Sequence, residues 1–387
     1  MIDQYPLGEL SAEQFLTEYW QKKPLLIRQA IPDFEPPVSA DELAGLACEA
    51  EVESRLIRFD PDKDHWSLEQ GPFKEEHFAT LPESHWTLLV QAVDHWVPEA
   101  AELIQRFSFI PNWRVDDLMI SYAANLGGVG PHYDNYDVFL LQAEGCRRWE
   151  LGGLCDEDSP RRDDAPVMIL PEWVVEQSFD LEPGDMLYLP PQVAHNGYAI
   201  GDGCMTYSIG FRAPAHNEIL RSFSDFIGEQ LGRETRYTDA DLELQQNPGE
   251  ISSAAIDRVT GILAGYLQDR EQLSRWFGEY MTDPKYPELT EEGESITTDE
   301  LVESLDEGYL IRRNEGARLA YVRSSDNKTR LFADGKSYSV TSGSTALLEQ
   351  LCGEHRSIRI AATELSEQQL DLLCQLIHAG SLYLSDE

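Results

Sequence analysis

Between Leu118 and Phe211 apolar and polar positions alternate with a period near two, and turn signals recur along this stretch. These are Gly127-Gly128, Glu144-Gly145, Gly152-Gly153, Pro183-Gly184-Asp185 and Gly201-Asp202-Gly203. Short strands separated by such turns predict an all-β barrel or sandwich. Upstream, residues 12–20 predict a short helix and Leu25-Leu26-Ile27 a strand, followed by acidic helical stretches to about residue 110. Beyond Pro214 the period changes to that of a helix. Ile219, Leu220, Phe223, Phe226, Ile227 and Leu231, then Ile251, Ala255, Val259, Ile262, Leu263 and Tyr266, predict helices across residues 215–283. Their apolar faces could fill a bundle core or form a seam between two copies, and some of both is expected. After Pro284-Lys285-Tyr286-Pro287 and an acidic linker, Asp334-Gly335 between Thr329-Arg330-Leu331-Phe332 and Ser337-Tyr338-Ser339-Val340 signals a hairpin. Helices near 344–352 and 366–378 and a strand at Leu382-Tyr383-Leu384 complete a small α+β, winged-helix-like module. The division expected is 1–213 (core 92–213), 214–288 and 289–387.

Composition narrows the function classes. No apolar run approaches the roughly 20 residues that span a bilayer, and the acidic start Met1-Ile2-Asp3-Gln4 lacks a basic-then-apolar signal, so a cytoplasmic address with no membrane partner is expected. The six cysteines are scattered without a C-x-x-C pair, which indicates neither a zinc knuckle nor a disulfide framework. A net charge of −40 repels nucleic acid and steers basic proteins, although a solubility or salt-adaptation surface would carry it equally. Residues 301–387 hold nine Lys+Arg against thirteen Asp+Glu, so the C-terminal module reads as a protein-contact or structural domain that does not bind DNA.

The candidate chemistry begins with His132-x-Asp134. With nine histidines and 70 acids, roughly one or two such steps arise by chance, and His216-x-Glu218 is the other. Residues two apart share a face on a strand but diverge on a helix. His132 and Asp134 precede the β-rich Tyr136-Asp137-Val138-Phe139-Leu140-Leu141-Gln142, whereas His216 and Glu218 open a helical run and read as noise. His195, just past a strand that Pro190-Pro191 ends, could complete a two-histidine, one-carboxylate site for Fe(II) with positions open for a co-substrate and O2. Alone it would pass for a surface histidine. In Cys146-Arg147-Arg148-Trp149-Glu150-Leu151, a strand expected to follow a turn at Glu144-Gly145, alternation puts Arg147 on the face of Trp149 and Leu151. A buried guanidinium needs an anion. A dicarboxylate chelating iron at one end would supply it, and so would one of the many protein acids. Tyr136 shares the parity of His132 and Asp134 and is expected to face the pocket as a substrate contact. Ser121 is the lone small polar residue of an apolar strand, suited to a carboxylate or to a satisfied core position.

Three stretches carry a resemblance: Gly127-Gly128-Val129-Gly130-Pro131-His132-Tyr133-Asp134-Asn135-Tyr136-Asp137-Val138-Phe139, Arg147-Arg148-Trp149, and Pro190-Pro191-Gln192-Val193-Ala194-His195-Asn196-Gly197-Tyr198. With the early Tyr19-Trp20-Gln21-Lys22-Lys23-Pro24-Leu25, the chain resembles the JmjC branch of the cupin-fold 2-oxoglutarate oxygenases. Within it the chain is similar to the bacterial ribosomal oxygenases that hydroxylate an arginine of large ribosomal subunit protein sixteen. The resemblance implies a mainly β catalytic domain (a double-stranded β-helix), an α-helical dimerisation region and a winged-helix-like module. It implies Fe(II) on His132, Asp134 and His195, 2-oxoglutarate on Arg147 with Ser121 as a further contact, O2 as oxidant, and a basic ribosomal protein as substrate of a homodimer. The arginine target rests on likeness alone. Two other readings of the residues stand beside it: a cupin metalloenzyme that does not use 2-oxoglutarate, and a non-catalytic ribosome-associated interaction protein.

Overall fold

The computed structural model describes residues 5–290, 292–323, 329–340 and 342–386, so the N-terminal acidic residues 1–4 lie outside the described residues. The chain divides into two compact units. One runs to Ala213 and includes the short segments Arg313–Gly316 and Glu354–Ser357, and the other is the remainder.

The first unit begins with α1 (Ala12–Glu18) and α2 (Ala40–Leu46) flanking β1 (Leu25–Ile27). Both helices start in capping boxes, Ser11 with Gln14 and Ser39 with Glu42, which satisfy amides that a helix start leaves bare. The strands β2 (Ser54–Asp60), β3 (His65–Gln70), β4 (Trp86–Val90), β5 (Val115–Ala123), β6 (Asp137–Leu154), β7 (Gln177–Leu181), β8 (Met186–Leu189) and β9 (Val193–Phe211) follow, with α3 (Glu75–Phe78) and α4 (Pro98–Gln105) between them. They form one sheet in the order β1-β8-β6-β9-β5-β4-β2-β3, with β7 also on β6. β5, β6 and β9 are its spine. The C-terminal half of β9 pairs with β5 and the start of β6, while its N-terminal half pairs with the end of β6.

Two sequence expectations are corrected here. The acidic stretch before residue 110 is not mainly helical, because it supplies β2, β3 and β4. Strand pairing decides this: the short apolar steps Leu56-Ile57 and Leu88-Leu89 bury once β2 and β4 lie side by side. Glu144-Gly145 is not a turn between strands but an irregularity inside β6, where the register against β9 shifts and Gly145 takes φ +64°. An extra residue absorbed in this way bends a long strand without ending it.

Tyr188, Phe139, Phe211, Phe15 and Phe107 are fully buried in the main core, which α1 and α4 cover. Phe15 meets Tyr188 edge-to-face at 4.9 Å, which seats α1 on the back of the sheet.

In the second unit α5 (His216–Gln230), α6 (Ser253–Gln268) and α7 (Arg270–Thr282) are helical, but residues 231–252 are not, contrary to an unbroken helical reading of 215–283. Pro248 and the polar run before Ile251 leave that segment without a face to bury. Phe223, Ile227 and Trp276 join α5 to α7, whereas α6 has no buried residue. Next come α8 (Thr298–Glu307), β10 (Leu310–Arg313), β11 (Leu319–Arg323), β12 (Thr329–Ala333), β13 (Lys336–Val340), α9 (Thr345–Leu351), β14 (Ser357–Ile358), α10 (Glu367–His378) and β15 (Leu382–Ser385). The β12–β13 hairpin turns at Asp334 (φ 47°) and Gly335 (φ 77°), the pair of left-handed residues its Asp-Gly signal demands. All six cysteines are free. Among the described residues no helix is long and apolar enough to cross a membrane.

Candidate active site

Segment 127–136, which connects β5 to β6, crosses β9 because its glycines permit close approach. Gly128 lies so near the Gly197 carbonyl that a Cβ there would sit 2.4 Å from its oxygen. Gly130 holds φ +80°, a conformation open to glycine at little cost. The segment is not a full strand. His132 makes an isolated bridge to His195, each backbone N–H donating to the other's carbonyl at 2.9 and 2.8 Å. His195 is therefore the third residue of β9, not a loop residue beyond β8 as its prolines suggested, and the turn at Gln192 (φ 70°) starts the new strand at once.

This bridge brings the three predicted ligands together. The ligand atoms of His132, Asp134 and His195 all lie within 4.8 Å of one another. Asp134 Oδ2 is 3.8 Å from His132 Nε2 and 3.6 Å from His195 Nε2. His132 Nδ1 donates to the Gly130 carbonyl at 2.8 Å and His195 Nδ1 to the Val193 carbonyl at 2.9 Å. A carbonyl can only accept, so each Nδ1 carries the proton and each Nε2 offers its lone pair to the centre of the group. Burial, and then repulsion from His132, push the His195 pKa down to about 4, so the ring is neutral near pH 7. Two imidazoles and one carboxylate on two converging backbones fit a divalent iron with open positions.

The three residues line a cavity of about 520 Å³ within the first unit. Its wall carries Arg147 as alternation predicted: Arg147, Trp149 and Leu151 are buried, while Arg148 and Glu150 are half-buried. Arg148 forms an ion pair with Asp180. Arg147, 3% exposed, has no hydrogen-bond partner for Nε or Nη2 among the described residues, and its guanidinium lies 5.6 Å from the Trp149 ring centroid. A buried cation without an anion is costly, and this one faces the cavity that His132, Asp134 and His195 line. The Trp149 ring stands 5.9 Å from that of His195, and Gly197 leaves room for it. Ser121 is buried on the cavity wall and makes a long 3.4 Å bond to the Thr206 carbonyl. Tyr136 also lines the cavity and is 43% exposed.

His216 and Glu218 take no part. His216 opens α5, and Glu218 accepts from the Ala215 amide at 2.8 Å, a helix-capping task. Sequence reasoning missed the cavity residues of β2, of β4 and the residue after it, and of the start of β5, among them Arg55, Gln91, Asp116 and Asp117. Arg55 donates to Gln91, whose amide donates to Asp117 at 2.7 Å. The adjacent acids Asp116-Asp117 at the head of an apolar strand were the signal that could have found this wall.

The JmjC domain family matches residues 102–219 and the ROXA-like winged helix family residues 265–383, and the AraC-like ligand binding domain family matches 173–272. The chain is 36% identical to the ribosomal protein uL16 3-hydroxylase of Escherichia coli (strain K12) over 313 residues, 80% of this chain and 82% of that one. It is 33% identical to a probable ribosomal oxygenase of Haemophilus influenzae over 339 residues, 84% and 82% of the two chains. Among solved structures it is similar to YcfD, a ribosomal oxygenase from Escherichia coli in complex with cobalt and 2-oxoglutarate, with a TM-score of 0.85, 31% identity and 99% of each chain covered. The same protein with cobalt and succinic acid matches at a TM-score of 0.85 and 32% identity over 99% of each chain.

Proposed function

Because this chain belongs to the JmjC-domain ribosomal oxygenases, we propose that it is an Fe(II)- and 2-oxoglutarate-dependent protein hydroxylase acting on an arginine side chain of ribosomal protein uL16. The observation that carries the chemistry is one cavity holding both the His132, Asp134 and His195 group and the guanidinium of Arg147, whose Nε and Nη2 have no hydrogen-bond partner among the described residues. In this reading the three ligands hold the metal, Arg147 takes the far carboxylate of 2-oxoglutarate with Ser121 beside it, and Tyr136 meets the substrate at the rim. Bound iron, 2-oxoglutarate and O2 supply the oxidising chemistry: one oxygen atom enters a substrate C–H bond, and 2-oxoglutarate leaves as succinate and CO2.

The chain's own task is placement. The Nδ1 bonds of both histidines hold their rings so that Nε2 faces inward, and the second-layer carbonyls of Gly130 and Val193 fix the tautomer. Ile57, Leu68, Met119 and Val167 give the cavity an apolar lining, and Asp116 and Asp117 add negative charge. That combination suits a long aliphatic side chain with a cationic head. The Arg147 site disfavours a cupin enzyme without 2-oxoglutarate, since such an enzyme would leave this cation unpaired. An intact ligand set argues against a non-catalytic protein.

The reading assigns catalysis to residues 1–213, self-association to 214–288 and a protein-contact role without DNA binding to 289–387. Ile256, Val259, Ile262, Leu263 and Leu267 all stand exposed on α6, which supports a homodimer seam there. A net charge of −40 suits a basic partner, and a ribosomal protein substrate implies a cytoplasmic address. The deciding experiment incubates the purified enzyme with Fe(II), 2-oxoglutarate and uL16 and reads intact mass. Gain of one oxygen atom, mapped to an arginine and dependent on 2-oxoglutarate, is expected. An unchanged uL16 mass would overturn the substrate, and absence of succinate as well would overturn the reaction class.

A further inference from the structure

The connection from β6 to β7, residues 155–176, is a long strap without helix or strand. It nevertheless supplies Pro166, Val167 and Met168 to the cavity wall, and Met168 is 53% exposed there. Its two ends are tied to the first unit. The Cys155 amide donates to the Gln192 carbonyl at 2.8 Å and the Tyr133 hydroxyl to the Asp156 carbonyl at 2.5 Å. Towards the other end, Leu170 N donates to the Pro131 carbonyl and Glu176 N to the Leu151 carbonyl, both at 2.8 Å.

Its middle is held by Arg162. This guanidinium donates to Asp64 twice, Nη1 to Oδ1 and Nη2 to the backbone carbonyl, both at 2.9 Å. It also grips Asp164 in a fork, Nε to Oδ1 at 3.0 Å and Nη2 to Oδ2 at 2.8 Å. The Arg162 amide closes the local loop on the Ile169 carbonyl at 2.8 Å, and Ile169 is buried. Asp64 lies in the β2–β3 turn with φ 48°, a left-handed position that aspartate tolerates better than most residues, and it presents carboxylate and carbonyl to the same cation.

We propose that Arg162 is a positioning residue for the protein substrate, clamping the strap to the β2–β3 turn so that Pro166, Val167 and Met168 stand as a preformed wall of the cavity. The inference rests on the hydroxylase reading above. Arg162 is not itself among the residues lining the cavity, so it acts through its neighbours. A surface ion pair adds little to global stability; what the clamp supplies is order. A loop fixed before the substrate arrives does not have to be ordered by binding, and that saving appears as affinity for the substrate. Only a planar fork meets Asp64 and Asp164 together, which a lysine ammonium does not reproduce.

The test compares wild-type holoenzyme with Arg162→Ala, Arg162→Lys and Asp64→Ala. The readouts are KM and kcat for uL16, 2-oxoglutarate affinity of the Mn(II)-loaded proteins by calorimetry, and cleavage of the strap by a glutamate-specific protease. Arg162→Ala is expected to raise KM for uL16 at least about fivefold while kcat and 2-oxoglutarate affinity stay within about twofold, as lost preorganisation requires. The strap should be cut faster, Arg162→Lys should recover less than half of the loss, and Asp64→Ala should move the same quantities in the same direction. An active wild type with unchanged KM in Arg162→Ala, or 2-oxoglutarate affinity falling in parallel with KM, overturns the inference alone. Wild-type enzyme that leaves uL16 unmodified overturns the hydroxylase reading and the inference with it.

Discussion

At the scale of single residues, Arg147 decides most about the chemistry. Its buried Nε and Nη2 have no hydrogen-bond partner among the described residues, and on the proposed reading the far carboxylate of 2-oxoglutarate supplies one. Arg147→Met keeps volume and removes the charge. Its melting temperature should equal or exceed that of wild type, while 2-oxoglutarate binding weakens at least about tenfold, because a charge-assisted hydrogen bond contributes about 1.5–3 kcal/mol. A melting temperature several degrees lower, with co-substrate affinity intact, would return Arg147 to a structural role. Alternation along Cys146–Leu151 made this residue legible, since it stood with Trp149 and Leu151 on the apolar face. Asp116 and Asp117 were not read in the same way, because strand parity does not say which of two adjacent acids turns inward when the register shifts between Val115 and Leu118.

At the scale of elements, the site depends on a segment that is barely an element at all. His132 joins β9 by one bridge, and the glycine-rich approach makes that bridge possible. Gly128→Ala would drive a Cβ into the Gly197 carbonyl, against backbone that cannot easily yield. Thermal stability should fall by several degrees and Fe(II) affinity at least about tenfold, with His132 displaced from its partners; metal titration and a melting curve check both. The hairpin at Asp334-Gly335 was readable from two residues, because its turn type is set by local φ alone. β2 and β4 were not, since the apolar step Leu56-Ile57 stands among charges in β2, and both segments are short and become strands only when each lies beside the other.

At the scale of the whole molecule, acidity and the exposed face of α6 are the features with consequences for assembly. α6 has no buried residue, yet it displays Val259 and Leu263 with Ile256, Ile262 and Leu267. An exposed apolar face of this kind is where the proposed seam between two copies would lie. On the proposed homodimer reading, the double variant Val259→Asp with Leu263→Asp should lower the sedimentation coefficient at micromolar concentration from that of a dimer to that of a monomer, with little change in 2-oxoglutarate affinity; a wild type that sediments as a monomer, or an unaltered coefficient in the variant, would overturn a seam on α6. From the sequence alone came the elements that local rules govern: the strand-rich middle, the helical stretches after Pro214, the Asp-Gly hairpin, and a facial ligand set proposed from two-residue parity. These depend on periodicity and turn chemistry, which act between near neighbours. Only the tertiary structure decided that His195 lies in β9 beside His132, that β2 and β4 complete the cavity, that Arg147 forms no ion pair among the described residues, and that Arg162 of the strap meets Asp64. Each of those facts is a meeting of residues far apart in sequence, fixed by sheet pairing and burial, which no local pattern specifies.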